Sequence, residues 1–330
     1  MATVTQTTTY TAATPAGGSA PRTYLNKTFY DRKLLENAKT QLHYAEFGQK
    51  KPIPRNSGKT VEFRKWNLFD PDAVVALTEG VTPDSQDIGQ TKIEATVAQY
   101  GAFVEVSDLL DLTAYDPVIS DTSELLGEQM GVKIDHITRD IMTATTNKQF
   151  AGGRASAAAL TATDYLTVDE IRKAVRTLKN NKARMFGNGK RPHFICICDP
   201  YATYDLQSDA LWQDVSKYSN AEQIYQGEIG RLFGVVFVES TESIIDEKTA
   251  TNPVNSTVDV HHTLVFGESA YGIVDIDGSG SMEIIVKPHG SSGTADPLNQ
   301  RATIGAKVMA YTAVILQPLW LIDIEHAVHA

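Results

Sequence analysis

The stretch DPLNQRATIGAKVMAYTAVILQPLWLIDIEHA, residues 296–327, decides the fold that this sequence predicts. Its apolar content predicts two long strands, and neither strand carries an obvious catalytic residue. The longest apolar runs are residues 311–316 and 319–322. Both are far shorter than the roughly 20 residues that a membrane-spanning helix needs. The stretch therefore predicts buried sheet at the end of a large folded protein.

This stretch resembles the closing segment of tailed-bacteriophage major capsid proteins, specifically of their N-four-like branch. In that family a Pro-Leu-x-Gln-Arg-x-x-x-Gly-x-Lys element precedes an aromatic and apolar strand, an Asn-Pro or Gln-Pro turn, and a final apolar strand. The matching positions are Pro297, Leu298, Gln300, Arg301, Gly305, Lys307, Gln317 and Pro318. The resemblance implies an α+β chain with the Hong Kong 97-type major capsid fold. Its parts are an N-terminal arm, an extended loop, a peripheral domain with a long spine helix, and an axial domain.

The composition excludes several classes of protein. With 330 residues and 42% hydrophobic content, the chain can bury a substantial core. The first residues lack a basic segment followed by an apolar one, so no secretory signal is expected and the protein should be cytosolic at synthesis. Cys196 and Cys198 alternate within HFICIC, which aims both at one face of a strand and argues against a disulfide framework.

The charged residues are separated into blocks. The formal charge of -10 argues against a surface that grips nucleic acid throughout. Basic residues predominate over residues 22–59, whereas every charge over residues 70–87 is acidic. Such blocks suit contacts between neighbouring copies, and two solvated faces are the alternative. The predicted inter-subunit contact residues are Asp70, Asp72, Glu79, Asp84 and Asp87, which we call the acidic block, together with Arg32, Lys33, Arg55 and Arg301.

The chain divides into five predicted segments. Residues 1–55 form an N-terminal arm, of which the first 21 carry no charged side chain and cannot fold alone. Residues 56–108 form the extended loop, in which strands at 60–69 and 96–106 pair as a two-stranded projection. The resemblance assigns residues 109–160 to the peripheral domain with its spine helix, 161–275 to the axial domain, and 276–330 to the closing strands of the peripheral domain.

Local signals place the main helices and strands. Asp116 as N-cap and Pro117 at the first helical position predict a long helix over residues 116–146. Thr167 and Glu170 form a capping-box pattern before a second helix, whose basic residues could bind nucleic acid, a scaffold protein or an acidic neighbour, or could simply be solvated. The run HFICICDP predicts a buried central strand followed by another helix, and further strands are predicted at GVVFVES, HTLVFGES, YGIVDI and MEIIVKP. Residues 243–262 predict an inserted loop.

No pattern in the sequence predicts a catalytic, cofactor-binding or metal-binding residue. DIDGSGSMEIIV has oxygen ligands at calcium-loop spacings, but Val286 stands where a bidentate Glu belongs. A hairpin with a Gly-rich turn is favoured instead. His261 and His262 are adjacent, so on a strand they point to opposite faces, and they lack metal-site spacing with the cysteines. His326 and His329 are expected in a frayed, solvated terminus.

The sequence thus predicts a structural protein without enzymatic activity or cofactor. The resemblance implies a major capsid protein that assembles with itself into the pentamers and hexamers of a phage head, with scaffold, portal and decoration proteins as possible partners. Packaged double-stranded DNA would be contacted weakly and without sequence specificity, and no membrane is expected. The location would be the virion, and the host cytoplasm during assembly. The alternatives are the shell of an encapsulin-like nanocompartment and, less favoured, a soluble α/β enzyme.

Overall fold

A computed structural model of the chain describes residues 42–329 except 55, 57, 68, 75, 78, 81, 83–84, 115–117, 188–190, 214–227, 250–253, 276–281 and 292–295. Helices run over α1 (Asp108–Thr113), α2 (Val118–Thr143), α3 (Val168–Asn180) and α4 (Pro200–Ser208). The strands are β1 (Gln49–Lys50), β2 (Thr60–Trp66), β3 (Gln90–Thr96), β4 (Ala98–Ser107), β5 (Lys148–Phe150), β6 (Phe194–Cys198), β7 (Glu228–Leu232), β8 (Val235–Glu239), β9 (Ile245–Asp246), β10 (Val260–Phe266), β11 (Tyr271–Asp275), β12 (Glu283–Lys287), β13 (Arg301–Ile315) and β14 (Leu321–His326).

A seven-stranded sheet forms one half of the described structure. Its order is β5-β14-β10-β6-β8-β7, with β9 paired to β10. The central strand β6 is buried at every residue, as predicted. Cys196 and Cys198 both contact the cluster that holds α3 and α4, whereas Ile195 and Ile197 belong to the cluster on the other face. Strand alternation therefore places the two free cysteines as expected.

The two helices on this sheet begin at the residues that the sequence indicates. The Thr167 hydroxyl accepts a hydrogen bond from the Glu170 amide at 3.4 Å, which starts α3. The Asp199 carboxylate accepts from the Ala202 amide at 2.9 Å, which starts α4 at Pro200. Each cap satisfies an amide that would otherwise lack a partner at the helix terminus.

A five-stranded sheet around β13 forms the other half, and α2 packs across it. Leu126 and Met130 of α2 share a buried cluster with Ile304 and Ala306 of β13. The long helix is thus confirmed, although it ends at Thr143 and its predicted cap at residues 116–117 lies outside the described residues. A Cβ added at Gly131 would lie 3.1 Å from Leu42, which accounts for a glycine in the middle of this helix.

The strands β11 and β12 do not form the predicted hairpin. Tyr311 pairs with Asp275 of β11 on one side and with Ala98 of β4 on the other. Residues 303–307 pair in the same way with β12 on one side and β4 on the other. β11 and β12 therefore follow each other along a single edge of β13. The hairpin prediction was wrong because pairing with a distant strand decided the arrangement, and local periodicity does not report such pairing.

The projecting hairpin is built from β2 and β3. The pairing runs from Thr60 with Thr96 to Trp66 with Gln90. The strand predicted at residues 96–106 exists as β4, but it pairs with β13. The partner of β2 is thus the polar segment QTKIEAT, which lacks the alternation that would have identified it.

The closing segment contributes to both sheets. β13 is the central strand of the five-stranded sheet, whereas β14 lies between β5 and β10 in the seven-stranded one. β11 likewise belongs to the five-stranded sheet. The five-stranded sheet therefore contains strands from both sides of the domain boundary that was predicted at residue 275. The expected inserted loop at 243–262 also contains β9 and the start of β10.

Candidate assembly surface

The base of the projecting hairpin is anchored in a small core. Phe63 is buried with Ile53, Val274 and Leu316. A Cβ on Gly272 would lie 3.0 Å from the Phe63 ring, so glycine at this strand position leaves room for the aromatic side chain. The Lys65 ammonium donates to Gln317 Oε1 at 2.8 Å. These contacts fix the root of the hairpin against the five-stranded sheet.

Beyond this root, residues 67–89 form a loop whose described side chains are largely exposed. The Asn67 amide donates to the Gly89 carbonyl at 2.9 Å, so the two ends of the loop are adjacent. Large apolar side chains on the loop or at its entry are 56% to 76% exposed: Trp66, Phe69, Val74, Leu77 and Ile88. We call these five residues the apolar loop set. Large apolar side chains left in water on one loop offer surface that another protein can cover.

The acidic block lies on the same loop. Asp70 Oδ1 accepts from the Asp72 amide at 3.0 Å and begins a short 3-10 turn at Pro71–Ala73. Asp72, Glu79 and Asp87 are exposed, and Asp84 lies outside the described residues. The loop therefore presents acidic and apolar groups together. Sequence reasoning selected the charges and missed the apolar loop set, although its five residues are visible as isolated hydrophobics between Asp, Pro and Gly.

The basic residues predicted to make inter-subunit contacts lie mostly outside the part of the chain that the structure describes. Arg32, Lys33 and Arg55 lie outside the described residues. Arg301 begins β13 opposite Ser107, and its guanidinium lies 3.9 Å from the exposed Glu105 carboxylate. The assignment of these residues to inter-subunit contacts remains a prediction.

A second exposed apolar area surrounds α1. Leu109 and Leu112 on this helix, Phe103 on β4 and Leu298 are all at least two-thirds exposed. The Asp108 amide donates to the Gln300 carbonyl at 2.9 Å, which joins the start of α1 to the segment that precedes β13. The leucine spacing in DLLDLT is the sequence signal for this area.

The basic side of α3 is partly neutralised within the helix itself. Arg172 lies 2.9 Å from Asp169, and Lys173 lies 2.7 Å from Glu170. Arg172 also lies over the Phe233 ring, 5.3 Å from its centroid. Exposed pairs at this spacing, such as Arg172 with Asp169, contribute only a few tenths of a kcal/mol each. These contacts fit a solvated face.

The expectation of a frayed, solvated terminus was wrong for His326, whereas His329 is exposed as expected. His326 is fully buried in β14, and its Nε2 lies 2.9 Å from the Thr263 hydroxyl. Burial lowers the pKa of His326 to about 4. The His329 ring stacks on Tyr165 at 3.5 Å, and its Nδ1 lies 2.7 Å from Asp205 Oδ1. Pairing of β14 with β10, sixty residues earlier, orders this terminus.

His261 and His262 do point to opposite faces, as predicted. His261 Nδ1 hydrogen-bonds to the buried Asp199 carboxylate, which caps α4. His262 Nδ1 lies 2.9 Å from Asp323 Oδ2 on the other face of the sheet. Asp323 and Glu325 were missed by sequence reasoning, because only strand pairing brings these residues beside His262.

None of the helices in the described residues is long and apolar enough to cross a bilayer.

Comparison with known proteins identifies the architecture. Residues 126–286 match the family model described as phage capsid protein. The capsid of Ralstonia phage GP4 matches with a TM-score of 0.70 and 13% identity over 97% of this chain and 99% of that one. The fold is that of phage capsid proteins.

Other solved capsids give the same result. The capsid of cyanophage Pam1 matches with a TM-score of 0.69 and 12% identity over 95% of this chain and 99% of that one. The capsid of cyanophage P-SCSP1u matches at 0.67 and 15% identity over 93% and 94%. No curated protein sequence matches the chain. These comparisons confirm the α+β Hong Kong 97-type capsid fold that the closing segment implies.

Proposed function

We propose that this chain is the major capsid protein of a tailed bacteriophage. Many copies assemble as pentamers and hexamers into an icosahedral head that encloses double-stranded DNA. The observation that carries the proposal is a capsid fold over nearly the whole chain, which agrees with the family match at residues 126–286. The motif at residues 297–318 favours the N-four-like branch.

The exposed loop supports a function in self-association. A hairpin anchored at its root, with an apolar loop set at its far end, leaves apolar surface in water that a neighbouring copy can cover. Closed symmetric assemblies repeat each such contact at every subunit, so modest contacts are sufficient to hold a shell. The function is therefore structural rather than enzymatic. Portal, scaffold and decoration proteins are expected partners, and the virion is the expected location.

The competing proposals differ in what the particle contains. The family match is to phage capsid proteins, which favours a virion over a nanocompartment with enzyme cargo. The acidic charge of -10 fits weak, non-specific contact with packaged DNA. Host cytoplasm is the expected site of assembly.

The test uses the full-length chain and a variant in which residues 69–87 are replaced by a short Gly-Ser linker. The adjacent ends of the loop at Asn67 and Gly89 allow this replacement without opening the hairpin. We expect capsomers or shells from the full-length chain by light scattering and negative-stain microscopy, and a folded but unassembled variant. A full-length chain that stays monomeric at high concentration, under every salt and scaffold condition, would contradict the proposal.

A further inference from the structure

A buried cluster of side chains lies between β10 and β14, away from the loop. Strand pairing places His262 opposite Glu325 and Leu264 opposite Asp323. Because alternate residues of a strand share a face, Asp323 and Glu325 lie on the same face as His262. The exposed fractions are 6% for His262, 0% for Asp323 and 2% for Glu325. Two carboxylates and an imidazole are thus held together in the interior by regular strand geometry.

The hydrogen bonds inside this cluster are incomplete. His262 Nδ1 lies 2.9 Å from Asp323 Oδ2, and its Nε2 lies 3.3 Å from Asp246 Oδ2. The remaining oxygens, Asp323 Oδ1 and Glu325 Oε2, are buried and accept no hydrogen bond from the described residues. Buried polar atoms are almost always paired, so these two carboxylate oxygens have acceptor capacity for a further partner such as a cation.

Lys148 supplies part of the positive charge from the solvent side. Its ammonium lies 2.5 Å from Glu325 Oε1 and 3.7 Å from Asp323 Oδ2. The lysine side chain is 37% exposed, so it can turn outward into water. The single ammonium of Lys148 therefore faces the two carboxylates of Asp323 and Glu325.

We propose that His262, Asp323 and Glu325 bind a divalent transition metal ion of the Zn²⁺ type. One ligand atom from each residue lies within 4.8 Å of the others, as a single ion requires. An imidazole nitrogen with two carboxylate oxygens is a donor set that Zn²⁺ accepts, and a water completes four ligands. A divalent ion supplies positive charge that Lys148 alone does not, and two of its three ligand residues carry a buried oxygen without a hydrogen bond. This site does not depend on the proposed capsid function.

The first test is direct binding to the full-length chain after treatment with a chelator. We expect one Zn²⁺ per chain in competition with a chromophoric chelator, and a visible Co²⁺ absorption spectrum typical of low coordination number. H262N and E325Q should each weaken Zn²⁺ binding at least tenfold. The control is H136N. His136 lies on α2, 2.6 Å from the Glu242 carboxylate and outside the cluster, so its replacement should leave Zn²⁺ affinity unchanged. Equal Zn²⁺ affinity in H262N and the wild type would overturn the proposal.

A second variant keeps the test decisive if H262N fails to fold. K148M removes the ammonium that competes with the metal and leaves the three ligands in place. Its melting temperature should lie below that of the wild type without metal, and Zn²⁺ should raise it by more than it raises the wild-type value. A K148M protein that neither binds Zn²⁺ stoichiometrically nor gains thermal stability from it would refute the site, whatever the result for assembly.

Discussion

The apolar loop set gives the sharpest prediction about assembly. Val74 and Leu77 are each 76% exposed in the single chain. Complete burial of such a side chain contributes about 1.5 to 3 kcal/mol, so covering the exposed three-quarters contributes about 1 to 2 kcal/mol each. If a neighbouring subunit covers both, the double variant V74S/L77S loses about 2 to 4 kcal/mol per contact. That loss lowers the association constant by about 30- to 1,000-fold. The free energy of unfolding should change by no more than about 0.5 kcal/mol, because both side chains are exposed.

The assay for this prediction compares assembly and folding in one set of proteins. Light scattering against subunit concentration reports the threshold for assembly, and urea unfolding of the unassembled subunit reports its stability. V74I/L77M is the matched control, since it keeps two apolar side chains of similar volume at the same positions. The threshold should rise steeply for V74S/L77S and stay near the wild-type value for the control. An unchanged threshold in V74S/L77S would show that these side chains remain in water in the shell, and the reasoning would then fail.

Three further predictions concern charge, packing and pH. Reversing the whole acidic block to Lys should reduce assembly and alter its salt dependence. Single reversals should have almost no effect on assembly, because exposed pairs contribute only about 0.2 to 1 kcal/mol each. Normal shells with an unaltered salt response would show that the block is a solvated face. F63A should remove about 3 to 5 kcal/mol of packing free energy at the hairpin root. Hydrogen exchange of the β2 and β3 amides should then accelerate, while exchange of the β6 amides stays unchanged. Equal protection of β2 and β3 in F63A and the wild type would contradict the anchoring contacts. Burial holds the folded-state pKa of His326 at about 4, below its ordinary value of 6.5. The unfolded chain therefore binds the proton first as the pH falls. The free energy of unfolding should decrease by up to about 3 kcal/mol between pH 6.5 and pH 4. Urea unfolding of H326Q should show a shallower loss over this window, and an identical pH profile would argue against a buried neutral imidazole.

The parts of the fold that the sequence predicts well are those governed by local chemistry. Thr167 and Asp199 are helix caps whose side chains bond to amides three residues on. The central strand at residues 194–198 is apolar throughout because both of its faces are covered. The closing stretch carries a spacing pattern specific enough to imply the capsid fold by its resemblance alone.

The errors share a different physical origin. β3 has little apolar content, so its pairing with β2 depends on backbone hydrogen bonds and on Phe63 at the root. β11 and β12 are near in sequence, but each pairs with β13 instead of with the other. The cluster at His262 likewise consists of residues from separate strands. In each case the partner is distant along the chain, and local periodicity does not indicate which distant strand a strand pairs with.

The junction around Gln317 explains why the closing stretch is so informative about this fold. The chain crosses from the seven-stranded to the five-stranded sheet between β10 and β11, and it crosses back between β13 and β14. The two crossings are bonded together: the Gly267 amide donates to the Trp320 carbonyl at 3.0 Å, and the Leu316 amide donates to the Ala270 carbonyl at 2.9 Å. Gln317 also accepts the Lys65 hydrogen bond at the hairpin root. The same few residues hold the hairpin and join the two halves of the subunit. A displacement of the hairpin on assembly would therefore act on both sheets at this junction.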